Sequence, residues 1–104
     1  MDQFVILKDN SNLTVTLQTN LTVQIVPDLQ TLFKEEIKNG ITKIILDLSK
    51  VTIMDSSGIG LIIALCNSIN EIKGTLNVTN VEKEIFKMLQ LMRLVNRLNV
   101  TEKN

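Results

Sequence analysis

I-I-L-D-L-S-K-V-T-I-M-D-S-S-G-I-G-L-I-I-A-L-C-N-S-I-N-E-I, residues 44–72, reads as a buried strand, a tight turn and a long apolar helix. Ile44, Ile45, Leu46 and Leu48 form a run too short for a helix, of the kind expected in a strand covered on both faces. Val51, Thr52, Ile53 and Met54 continue it in extended form. Asp55, Ser56 and Ser57 then supply side-chain oxygens that accept the free amide hydrogens opening a helix. The following segment is apolar around most of its circumference as far as Cys66, so it packs against more than one neighbour.

Outward from this unit, the chain punctuates itself. Phe4 and Ile6, then Leu13, Val15 and Leu17, alternate with polar neighbours on either side of the turn cluster at residues 8–12. This predicts an antiparallel hairpin of residues 3–7 with 13–18. Pro27 suits the first turn of a helix, where its missing amide hydrogen has no intrahelical partner. Leu29, Leu32, Phe33 and Ile37 form one apolar stripe, Asp28 and Lys38 match the helix dipole, and Asn39-Gly40 supplies a left-handed cap. Gly74 ends the central helix. A strand is predicted over residues 75–78, and a Thr79–Glu82 capping box opens a helix to about Leu91, with Val81, Ile85, Met88 and Leu89 inward. Leu94, Val95, Leu98 and Val100 remain for a loop and a short edge strand. The order predicts an α/β domain: a mixed sheet of four to five strands, helices mainly on one side, and right-handed parallel connections.

Composition narrows the function. One domain accounts for 104 residues, and a chain of this size folds without metal or disulfide staples. Eleven basic and eleven acidic residues cancel, no basic run occurs, and Trp and Tyr are absent, which argues against nucleic acid. With no His and the single Cys66 there is neither a disulfide nor a zinc site to build, and no cofactor motif is present. Cys66 reads as a small buried hydrophobe. The start, Met1-Asp2-Gln3, lacks a basic leader region, and the longest apolar stretch, residues 61–66, falls far short of the roughly 18 residues of a membrane span. A cytoplasmic protein without membrane insertion is expected, so the sequons at Asn12, Asn20, Asn77 and Asn99 carry no chemical consequence.

Catalysis lacks its parts. Ser56 and Ser57 have no imidazole base, and Gly58 with Gly60 is not a dinucleotide fingerprint. Asp47 reads as a satisfied strand-end residue, not half of a carboxylate pair. What the turn offers is a hydroxyl at a helix N-terminus, where a phosphate is accommodated and adds about −1.5 to −2 charge. Gly58 and Gly60 cost the helix about 0.5 to 1 kcal/mol each relative to Ala, which a smooth face open to another backbone would explain. The competing reading is a plain N-cap with tight helix-to-sheet packing.

The D-S-S-G-I-G turn after I-L-D-L-S-K-V-T-I-M resembles the signature of bacterial anti-sigma-factor antagonists, single-domain members of the STAS superfamily. The likeness extends to G-T-L-N-V-T-N-V, residues 74–81, and V-E-K-E-I-F-K-M-L-Q-L-M-R-L-V, residues 81–95. It implies the STAS fold and a non-enzymatic binding switch. The serine directly after the Asp, here Ser56, is then the phosphorylation site. Thr22, Val23, Gln24, Asp55, Ser57, Gly58, Ile59 and Gly60 make up the partner-binding surface. The implied partners are an anti-sigma factor that is also a GHKL-type serine kinase, bound when Ser56 is free, and a PP2C-type phosphatase that resets it. The chain departs from the family at residues 19–22, Thr-Asn-Leu-Thr, where a Gly-acid-Leu-Asp sequence is usual: Thr22 has no charge. Family members also usually carry a C-terminal helix beyond the last strand, for which residues up to Asn104 leave no room. The surface beneath is then open or covered by another element, such as the second subunit of a homodimer. Two other outputs fit the resemblance: control of a histidine-kinase-like switch other than a sigma regulator, and a scaffold role in a stressosome-like or phospholipid-transport complex.

Overall fold

A two-residue turn starts the chain's architecture. In the computed structural model, which describes residues 3–104, β1 (Phe4–Asp9) and β2 (Asn12–Leu17) pair antiparallel with Asp9 opposite Asn12. Asn10 takes the left-handed backbone (φ 55°) that the tight turn requires. The hairpin is as expected, its strands reaching further into the polar tip. Met1 and Asp2, on which part of the leader reading rests, lie outside the described residues.

The remaining elements are α1 (Val26–Lys38), β3 (Lys43–Asp47), α2 (Ser56–Glu71), β4 (Thr75–Val81), α3 (Lys83–Leu91) and β5 (Val100–Glu102). Among the described residues the sheet has the order β1-β2-β3-β4-β5, with β2 to β5 parallel. Register explains the core. Leu13, Ile44 and Leu76 form one cross-strand row and Val15, Leu46 and Val78 the next, all buried on the same face. They join Val26, Leu29 and Phe33 of α1, Leu61, Ile62, Leu65 and Ile69 of α2, and Ile85 and Leu89 of α3 in a single cluster. On the other face, Thr14, Ile45 and Asn77 and then Thr16, Asp47 and Thr79 are half-buried. The strand at residues 44–48 is therefore not covered on both faces, as its sequence predicted. Ile45 is the lone aliphatic that β2 to β4 place in these rows, which β1 extends with exposed Leu7 beside Thr14 and Val5 beside Thr16.

Helix ends follow local chemistry. Pro27 lies in the first turn of α1, and Gly40 (φ 104°) follows its C-cap, Asn39, as expected. At the end of α2 it is Lys73 that turns left-handed (φ 59°), while the Gly74 amide donates to Ile69 O at 2.8 Å. Gly74 is glycine for space: a Cβ would collide with the Thr42 carbonyl oxygen. The Thr79–Glu82 capping box does not form. Thr79 and Val81 stay in β4, whose seven residues outrun the expected four, and the Thr79 carbonyl accepts from the Leu48 amide at 2.9 Å. Glu82 caps α3 itself, its carboxylate accepting from Ile85 N at 3.4 Å. Likewise residues 51–54 are not one extended run. Val51 N donates back to Leu48 O in a turn, and only Met54 reaches a bridge, with Leu21.

The chain covers its own last apolar segment. Leu94, Leu98 and Val100 are buried, and the Asn99 side chain donates to the Leu76 carbonyl at 2.8 Å, tying the turn to β4. No helix among the described residues is long and apolar enough to cross a membrane. Leu98 is fully inaccessible, so Leu98→Ala is expected to lower stability by about 2 to 5 kcal/mol, read from urea unfolding. A loss near zero would show that this segment is not part of the core.

Candidate functional site: a carboxylate-clamped serine turn

Two segments distant in sequence meet beyond the carboxyl ends of the central strands. The Leu21 amide donates to Ile53 O at 3.1 Å, and the Asp55 amide to Leu21 O at 3.2 Å, forming a one-residue parallel bridge between Leu21 and Met54. Asn20 adds a clamp: its Oδ1 accepts from the amides of Thr52 (2.9 Å) and Ile53 (3.0 Å) and from the Thr52 hydroxyl (3.3 Å). The turn thus gains three hydrogen bonds from a single amide oxygen.

Asp55 completes the junction. Its backbone is extended (φ −90°, ψ 179°), as an N-cap requires, and its carboxylate divides its work. Oδ1 accepts from the Gly58 amide at 2.9 Å, closing the first turn of α2, and Oδ2 accepts from the Val23 amide at 2.9 Å across to the other segment. The Gly58 amide first, then that of Val23, hold the carboxyl below the ordinary carboxylate range, against a smaller opposing effect of desolvation. Asp55 is therefore both the cap expected from sequence and a bridge that sequence did not reveal.

The expected site residues fall into distinct roles. Ser56 is the first residue of α2 and is exposed; Ser57, next along, is half-buried. Val23 and Gln24 are exposed, and Thr22 is half-buried with its carbonyl taken by the amides of Ile25 (3.0 Å) and Val26 (3.3 Å) at the start of α1. Ile59 is half-buried and Gly60 exposed. All lie on the two segments that Asp55 joins. The two glycines, read together as one smooth face, separate. Gly58 is buried, and a Cβ there would sit 2.5 Å from Leu21 O, so its glycine serves the packing of α2 on the bridge. Around Gly60 nothing lies within 4 Å of a Cβ, so no internal contact requires glycine.

Two neighbours escaped the sequence reading. Ile53 is 58% exposed beside the turn, comparable with Val23 at 60%, so two aliphatic side chains face solvent near Ser56. Ile53 was hidden because it looks like strand core. Asn20 gave only the hint that it lies in the segment departing from the family pattern. Elsewhere, Asp47 is satisfied as expected, accepting from Ser49 N at 2.9 Å and Asn80 Nδ2 at 3.2 Å. Cys66 is buried with its sulfur near the Arg97 carbonyl.

Comparison with solved structures places the fold among known ones. A candidate anti-sigma factor antagonist from Thermotoga maritima superposes with a TM-score of 0.87 at 20% identity, over 93% of this chain and 84% of that one. The Bacillus cell fate determinant SpoIIAA in its phosphorylated form gives 0.80 at 18% identity, over 97% and 91%. A sulfate transporter family protein from Wolinella succinogenes gives 0.79 at 13% identity, over 93% and 81%. At such identities the likeness shows the fold alone. Comparison with curated protein sequences finds no match. The model of the STAS domain matches residues 3–103, nearly the whole chain, and the protein therefore belongs to the STAS-domain family.

Proposed function

We propose that the protein is an anti-sigma-factor antagonist whose binding is switched by phosphorylation of Ser56. The observation that carries this reading is the exposed Ser56 hydroxyl at the first position of α2, beside a carboxylate already engaged by two amides. In the unphosphorylated state the exposed surface of Val23, Gln24, Ile53, Ser56 and Gly60, with half-buried Ile59 between them, binds a cytoplasmic anti-sigma factor of the GHKL kinase type, freeing the sigma factor. Thr22 and Ser57 lie at its margin. In the kinase step, Ser56 Oγ attacks the γ-phosphorus of ATP, the bond to the β-phosphate oxygen breaks, ADP leaves and the hydroxyl proton is lost. A PP2C-type phosphatase restores the hydroxyl by hydrolysis.

Charge explains why such a modification switches binding without unfolding the domain. The N-terminus of α2 tolerates a phosphate through its positive end-field. Its charge adds to that of Asp55 on a surface that otherwise offers a hydroxyl and aliphatic side chains, so a partner shaped for the neutral face must bury an unpaired charge. The intact pair Ser56 and Ser57 weighs for the switch over a fixed scaffold.

Three expectations follow from this surface. Phosphate transferred by the cognate kinase is expected on Ser56 and not Ser57, by peptide mass spectrometry. Ser56→Ala should bind that kinase like wild type, and Ser56→Asp should fold but bind more weakly by calorimetry; phosphate on Ser57, or tight binding by Ser56→Asp, would move the switch elsewhere. The glycines should respond oppositely. Gly58→Ala lowers the thermal midpoint, whereas Gly60→Ala raises stability by about 0.5 to 1 kcal/mol yet weakens kinase binding. Unchanged binding by Gly60→Ala would remove it from the interface.

Acid should loosen the surface. Because Asp55 has its pKa depressed on folding, its contribution to stability is complete above its ordinary value, 3.8, and is lost as pH falls from there through the lower folded value. Asp55→Asn should therefore flatten the acid limb of the stability profile. Identical acid limbs in the two proteins would show that the carboxylate is not engaged.

A further inference from the structure

The two edges of the sheet are unlike. β5 is a three-residue edge, followed by Lys103, whose amide donates to Val81 O and whose ammonium donates to Ser49 O. A short edge flanked by charge resists pairing with another chain. β1 has none of these protections over most of its length. It spans six residues without proline, pairs with β2 in unbroken register, and exposes Val5 (47%), Ile6 (42%) and Leu7 (71%) in succession. A flat edge with exposed aliphatics and unpaired backbone groups is a template for another strand.

We propose that this edge pairs with the β1 strand of a second copy of the chain, antiparallel and centred on Ile6. Backbone parity selects the arrangement. The Gln18 amide donates to Gln3 O at 2.8 Å, making that opposed pair a hydrogen-bonded one. Alternation along an antiparallel ladder then turns the backbone groups of Val5 and Leu7 toward β2 and those of Phe4, Ile6 and Lys8 outward. With Ile6 opposite Ile6 of the second copy, Phe4 and Lys8 oppose each other, so outward groups meet outward groups at every step. The intervening positions set Val5 opposite Leu7 of the second copy, twice by symmetry. Such non-hydrogen-bonded pairs bring side chains close, with about 4.5 Å between Cα atoms. The two exposed aliphatics of the open face thereby cover each other, beside the shallow cavity that Leu7 lines with Thr14 and Ile45.

Neighbouring registers are worse. Sliding by two residues sets Leu7 against Gln3 or Val5 against Asp9. The charges do not oppose a like partner: Lys8 is paired with Glu36 Oε1 of its own chain at 2.7 Å, and antiparallel pairing separates the two Lys8 residues by four positions, about 14 Å. The chain as a whole carries no net charge to keep copies apart. The result is a continuous sheet across a twofold axis, built from residues outside the serine turn and independent of the switch reading.

Sedimentation equilibrium of the full chain over a range of concentrations tests the proposal. The expected result is a mass rising toward twice 11.7 kDa. Ile6→Pro removes an outward amide hydrogen and no bond to β2, and should give a folded protein of monomer mass throughout. Because proline also perturbs the strand, paired charges provide a second test. Val5→Lys with Leu7→Lys opposes like charges and should abolish association, whereas Val5→Glu with Leu7→Lys opposes unlike charges and should retain it. A wild-type protein that stays monomeric, leaving the edge to some other chain, overturns the proposal. So does a dimer that survives Ile6→Pro or responds alike to both charge designs.

Discussion

One carboxylate joins the two halves of the candidate site. Asp55 spends one oxygen on the Gly58 amide of its own helix and the other on the Val23 amide, 32 residues away in sequence. Neither segment has a regular ladder to fix it: the bridge between Leu21 and Met54 is a single residue long. Without the carboxylate, Ser56 would still begin a helix, but Val23 and Gln24 would lack their direct tether to it. A hydrogen bond to a charged group is worth more than a neutral one, and two made by one ionised side chain fix orientation as well as distance.

That constraint sets the packing around it. The Leu21 carbonyl accepts from the Asp55 amide and lies so close to Gly58 that only glycine fits beneath it. Asn20 holds the amides just before the turn, and Asp55 those just after. The segment from Thr52 to Gly58 is thus fixed at both ends by side chains, leaving the Ser56 hydroxyl exposed on a supported backbone. Gly60, where no internal contact demands glycine, lies on the same helix.

Much of this was legible in the sequence because it is periodic or local. The strand rows through Leu13, Ile44 and Leu76, the α1 stripe, and the Asp55 cap depend on residues close in sequence or on simple alternation. What could not be read depends on which distant amides a polar side chain meets. The second oxygen of Asp55, the Asn20 clamp and the identity of the α3 cap as Glu82 are of this type. Coverage of the sheet is hidden from the sequence for a related reason. Ile45 looks like core beside Ile44 and Leu46, and only its cross-strand neighbours Thr14 and Asn77 mark its face as the uncovered one. The pair Gly58 and Gly60 looked like one motif and serves two ends, because a spacing of two on a helix separates a packed position from an open one.

Amide hydrogen exchange followed by NMR in wild type and Asp55→Ala tests the clamp directly. The Val23 and Gly58 amides are expected to lose protection together, while the amides of β3 and β4 keep theirs and the domain stays folded. Unchanged protection at Val23 in Asp55→Ala, or a loss confined to Gly58, would contradict this, reducing Asp55 to an ordinary helix cap and leaving the two segments to be joined by something else.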